Sequence, residues 1–156
     1  MYKINVVCVG KLKEKYFFEA QNEYLKRLKK FCKLEIIELE ESYLPQNPSK
    51  NEVILALDKE YEKLTPYLKG QVVVCDLKGK TYDSVQFSKE LLKTFDVVDT
   101  LTFVIGSSYG LSEKIKKNNK MISFSMMTFP HHLMRVFLLE QIYRAFCIAN
   151  NITYHK

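Results

Sequence analysis

The chain of 156 residues carries 47% hydrophobic side chains and a formal charge of +6. That is enough apolar material for one compact domain over 1–156 and too much for a disordered chain. No apolar run approaches a membrane span, and Val6 to Val9 is too short for a targeting segment, so a cytosolic location is expected. The charge is uneven: residues 1–34 sum to +6, residues 35–66 to −5 and residues 67–156 to +5. Separated signs on a basic chain suit a polyanion such as RNA. Cys8, Cys32, Cys75 and Cys147 lie far apart, without CxxC or Cys/His spacing, and read as reduced packing residues.

Ile4 to Val9 is β-branched, apolar and ended by Gly10, which predicts a buried strand. Tyr16, Phe17, Ala20, Tyr24, Leu28 and Phe31 recur at helical spacing and predict a helix over roughly 13–31. A second strand follows from Leu34 to Leu39, then a proline-bearing loop over 40–48. Ser49 with Glu52 forms a capping-box pattern opening a helix to Leu64, which Thr65-Pro66 stops. Val72 to Cys75 is a strand, and Asp76 to Lys80 reads as a turn. Asp83 with Gln86 caps a helix to Phe95. Leu101 to Ile105 is a buried strand running into Gly106-Ser107-Ser108-Tyr109-Gly110. Ser112 caps a short helix to Lys117, and Met121 to Phe124 is the last strand.

The final helix is the least ordinary element. Pro130 suits its first position, with Thr128 or Phe129 near the cap. From Leu133 to Ala149 the only polar residues are Arg135, Glu140, Gln141 and Arg144. At about 100° per residue the last three share a face, while Arg135 lies opposite, beside Leu139, Ile142 and Phe146. Such a helix is packed on more than one side. Its buried-side guanidinium either meets an anionic partner or snorkels from the first turn. His131 and His132 at the same helix start favour an anion there.

Alternating strands and helices predict a mostly parallel sheet with helices on both faces, ligands gathering at the strands' carboxyl ends. The segments 76–80, 106–111 and 124–130 would then converge on one pocket. The glycine loop matches neither a dinucleotide nor a P-loop fingerprint. The three histidines lack metal-ligand spacing, so no metal site is expected.

FVIGSSYGL at 103–111, ISFSMMTFPHHLMRVFLLEQIYRAF at 122–146 and the terminal YHK at 154–156 closely resemble the RlmH family of SPOUT methyltransferases. VCVGKLKEK at 7–15 and VVVCDLKGK at 72–80 fit the same family. The resemblance implies a SPOUT-type α/β fold with a C-terminal trefoil knot, a homodimer, and S-adenosylmethionine as cofactor. The activity it implies is N3-methylation of a pseudouridine in helix 69 of large-subunit (23S) rRNA, on the assembled subunit or ribosome. By position, Cys75, Gly106, Phe124, Ser125, Met126, Met127, Thr128 and Phe129 would build the cofactor pocket. Ser107 and His132 depart from the family pattern, where a second glycine and a Gln or Pro are common. His131, Arg135 and His155 are the candidates for deprotonating or orienting the base. Arg135, Tyr154, His155 and Lys156 are the candidates for binding the RNA. The alternatives are a non-enzymatic RNA- or ribosome-binding protein retaining the fold, and a doubly wound enzyme using a nucleotide cofactor on small molecules.

Overall fold

The computed structural model describes residues 1–156. Five strands, β1 (Tyr2–Val9), β2 (Cys32–Leu39), β3 (Gln71–Thr81), β4 (Thr100–Ile105) and β5 (Lys120–Ser123), form one sheet in the order β2-β1-β4-β3-β5. Every neighbouring pair is parallel, so all carboxyl ends share one edge. Helices α1 (Lys15–Leu28), α2 (Lys50–Leu64), α3 (Ser84–Phe95), α4 (Glu113–Lys116) and α5 (His131–Ala149) make the crossovers.

Strand alternation sorts the core into two layers. Ile4, Val6 and Cys8 of β1 face the side covered by α1, α3 and α5, where Leu28, Phe87, Leu91, Leu138, Leu139 and Ile142 pack. Val7 and Val9 face the other side, with Leu64 of α2 and Ile115 of α4. Helix α5 lies between α1 and α3 and also touches β4, which explains an apolar surface around most of its girth.

Both capping boxes form. Ser49 Oγ accepts from Glu52 N–H while Glu52 accepts from Ser49 N–H, each at 3.1 Å. Asp83 and Gln86 exchange the same pair of bonds at 2.7 and 2.9 Å.

Three expectations need adjustment. Strand β2 begins at Cys32 rather than Leu34, because Cys32 already pairs with Tyr2, and α1 accordingly ends at Leu28. Pro130 is the cap of α5 rather than its first helical residue: its ψ of 136° is extended, and Met134 N–H donates to its carbonyl at 3.0 Å. The segment 76–80 is no plain turn, since β3 stays extended to Thr81. Ile122 is opposite both Cys75 and Lys80, so residues 76–79 bow out of the ladder. Gly79 permits the rejoining, because a Cβ there would lie 2.4 Å from the Ile122 carbonyl carbon.

Candidate functional site

The bow after Cys75, the loop after β4 and the loop after β5 meet over the start of α5. They enclose a cavity of about 720 Å³ at the carboxyl edge of β3, β4 and β5. That lies within the roughly 300–1,000 Å³ of ordinary small-molecule sites. Parallel strands put these three chain exits at one edge, and His131 and Met134 close the cavity from the first turn of α5.

Each wall has its own local support. Asp76 takes Lys78 N–H at 3.0 Å on one carboxylate oxygen and Lys116 Nζ at 3.0 Å on the other, tying the bow to α4. Burial pushes the Asp76 carboxyl up, yet these donors outweigh it and hold the group below the usual range. In the loop after β4, Gly110 N–H donates to Ser107 carbonyl at 2.9 Å. The turn is so tight that a Cβ on Gly106 would fall 2.3 Å from Gly110 carbonyl oxygen. Ser107 makes this turn without a positive φ, so a second glycine is not required there. After β5, Ser123 Oγ donates to Ser125 carbonyl at 2.9 Å and Ser125 Oγ accepts Met127 N–H at 3.0 Å.

Cys75, Gly106, Phe124, Ser125, Met127, Thr128 and Phe129 all line the cavity, as does His131. Met126 does not; it is 91% exposed. Burial pushes the Cys75 thiol far up, so it packs as a neutral group rather than serving as a nucleophile. Apolar walls, free loop backbone and an ionised carboxylate beside a lysine fit a nucleoside-type methyl donor.

Burial, the neighbouring His132 and Arg135 push the His131 imidazole below its ordinary value, with Glu41 at 3.7 Å opposing them. His132 pairs with Glu14 of the α1 cap at 3.4 Å.

Arg135 is 1% exposed and does not line the cavity. Its guanidinium donates to the Glu38 carboxylate at the end of β2, to Gln21 Oε1 of α1 at 3.1 Å and to the Gly10 carbonyl after β1 at 3.1 Å. An internal anion therefore meets this charge, rather than solvent. Burial pushes Glu38 up, but hydrogen bonds from Arg135 and Leu12 N–H bring it below the usual carboxylate range.

Comparison with known proteins fits this arrangement. Residues 2–155 match the family described as "Predicted SPOUT methyltransferase". The chain belongs to the SPOUT methyltransferase family. It is 48% identical over 158 residues to a Clostridium botulinum protein named ribosomal RNA large subunit methyltransferase H, covering 98% of this chain and 99% of that one. Proteins of the same name from Streptococcus thermophilus and Malacoplasma penetrans are 45% and 44% identical, each alignment covering 99% of both chains.

In this SPOUT chain the terminal residues stand apart from the cavity. Tyr154 O–H donates to Glu140 Oε1 at 3.0 Å, and its ring lies under the Arg144 guanidinium. His155 Nδ1 is 3.1 Å from Arg144 Nη1, and Lys156 is exposed. Sequence reading put Asp76 in a pocket-forming segment but missed its partner Lys116, and it missed Met134 as a wall residue. Asp76 and Lys116 are 40 positions apart, and no local pattern signals their pairing. Met134 was findable, being one turn beyond His131 on the same helix face.

Proposed function

We propose that this chain transfers a methyl group from S-adenosylmethionine to large-subunit ribosomal RNA, and that the acceptor is N3 of a pseudouridine in helix 69. The carrying observation is the cavity where three loops meet at the sheet's carboxyl edge, in a chain that matches named rRNA methyltransferases end to end. The reading includes a homodimer working in the cytoplasm, with the ribosome as the substrate-bearing partner and no metal.

When bound, S-adenosylmethionine supplies a methyl group already made electrophilic by its sulfonium. Cys75, Gly106 and the loop 124–129 hold the donor, and their main task is alignment, since reacting atoms must approach to about 3–3.5 Å. His131 is the proton acceptor of this reading: a half-buried imidazole at the cavity wall, kept neutral near pH 7 by its lowered affinity for protons. Lys78 and Lys116 line the same cavity and favour the imide anion formed as N3 loses its proton. Arg135 acts through position, pinning the α5 start that carries His131. Tyr154, His155 and Lys156 supply contacts to RNA bases and phosphates.

Two measurements test the reading. Calorimetry should detect S-adenosylmethionine binding; a non-enzymatic ribosome-binding protein would bind none. Ribosomes lacking the modification should accept a radiolabelled methyl group at one pseudouridine. Label on a small molecule, or on no RNA, would end the proposal.

A further inference from the structure

A second cavity, of about 440 Å³, lies directly beside the first. Ile122, Ser123, Phe124, Ser125 and Phe129 line both. Helix α5 runs along the two: Met134 faces the donor cavity, and Phe137 and Gln141, one and two turns later on the same face, line the second. Phe129 and Phe137 meet edge to face at 5.4 Å at the junction. The far wall comes from the start of α3, with Tyr82, Ser84 and Phe87.

Its lining combines aromatic rings with one adaptable amide. Gln141 Oε1 accepts from Ser84 Oγ at 2.8 Å, and Gln141 Nε2 donates to Glu140 Oε2 at 2.9 Å. One N–H and one oxygen lone pair of that amide remain free. Glu140 in turn accepts from Arg144 Nε at 3.0 Å and from Tyr154 O–H at 3.0 Å, so the chain terminus is tied to this cavity's rim rather than to the donor's.

A base methylated by a donor in the first cavity must lie within bonding reach of it, and this is the cleft that shares its wall. Resting on the methyltransferase reading above, we propose that the second cavity receives the acceptor: a pseudouridine ring flipped from its RNA and stacked against Phe124, Phe129 and Phe137. The free N–H and lone pair of Gln141 match the adjacent C2=O and N1–H of pseudouridine. That edge turns N3, on the other side of C2, toward the shared wall. Uridine has its glycosidic bond at N1 and no proton there, so the same amide selects against it. In the transfer, the N3 lone pair forms the N–CH₃ bond, the departing C–S pair stays on sulfur, and the N3 proton passes to His131.

The test uses the full-length protein, S-adenosylmethionine, and ribosomes carrying either pseudouridine or uridine at the target. Gln141→Leu should lower kcat/KM on pseudouridine ribosomes by about tenfold or more, the effect of losing one to two hydrogen bonds, and leave the uridine reaction little changed. Phe137→Ala should raise KM on both ribosomes; Phe137 is partly exposed, so the variant keeps its core. Gln141→Leu, whose side chain lines only the second cavity, should not alter S-adenosylhomocysteine affinity by calorimetry. Three results overturn the proposal: donor affinity falling together with kcat/KM in Gln141→Leu, unchanged kinetics in both variants, or sedimentation showing that Phe137→Ala dissociates a dimer. A wild-type protein that binds no S-adenosylhomocysteine signals the failure of the methyltransferase reading itself, before any variant is made.

Discussion

Helix α5 carries two arginines whose surroundings differ in kind. Arg135 is sealed in the interior, and its partners Gln21, Glu38 and Gly10 lie 97 to 125 positions earlier in the chain. Arg144 is 24% exposed and bonds Glu140 four positions before it and His155 eleven after. Burial makes the first a structural commitment: its charge has been taken from water and is offset by three acceptors brought in from β1, β2 and α1. The second holds a partly exposed network at the surface of the helix. One end of the helix is therefore fixed where the cavity-lining loop 124–130 joins it, and the other stays available where the tail folds back.

The largest break in this contrast comes from Arg135→Met, which strands Glu38 and Gln21. With Glu38 one-third exposed, the loss should be about 3 kcal/mol, the lower end for breaking a buried pair. Thermal unfolding should report it as a fall of roughly 6–12 °C for a chain of this size. Adding Glu38→Gln should recover part of that fall, because no bare carboxylate then remains.

Arg144→Met should cost about 1 kcal/mol in urea unfolding, the upper end for a pair that keeps contact with solvent. Methyl transfer to ribosomes should suffer more than stability does, since Tyr154 and His155 lose their anchor. Equal losses of stability in the two arginine variants would erase the distinction between the buried and the partly exposed arginine.

Acid acts on the start of α5 in two steps. His131 binds protons more weakly folded than unfolded, so its contribution is complete above the ordinary histidine value of 6.5 and is lost as pH falls through its lower folded value. Glu38 is also depressed; its contribution is present above the ordinary glutamate value of 4.5 and is lost at still lower pH. Stability should therefore fall in two stages on acidification, and His131→Asn should remove the upper one. The same variant should flatten the acidic limb of the transfer rate if His131 takes the proton.

The smallest effect on the fold should follow removal of residues 153–156, whose contacts lie along the outside of α5. Its melting temperature should barely move. Retained methylation in that truncated chain would dismiss the tail as an RNA contact.

Much of the site was readable in order but not in depth. The MTFPH series and GSSYG are contiguous, and the parallel-sheet rule was enough to bring their loops together. Met126 was misplaced because a run of six neighbouring residues cannot all face one cavity; the loop turns, and this side chain faces water. The bow at 76–79 looked like a turn because Lys78-Gly79-Lys80 carries turn residues. Only the approach of β5 to Gly79 shows that the strand resumes.

From the sequence alone came the alternation of strands and helices, both capping boxes, the family, and the face of α5 on which Arg135 lies. These depend on residues within a few positions of one another, where periodicity and local hydrogen bonding leave their mark. Tertiary structure decided that Glu38 receives Arg135, that Lys116 holds Asp76, and that a second cavity shares a wall with the first. Those pairings join groups brought close only by packing the sheet and its helices, and a buried charge has no local pattern by which to announce its partner.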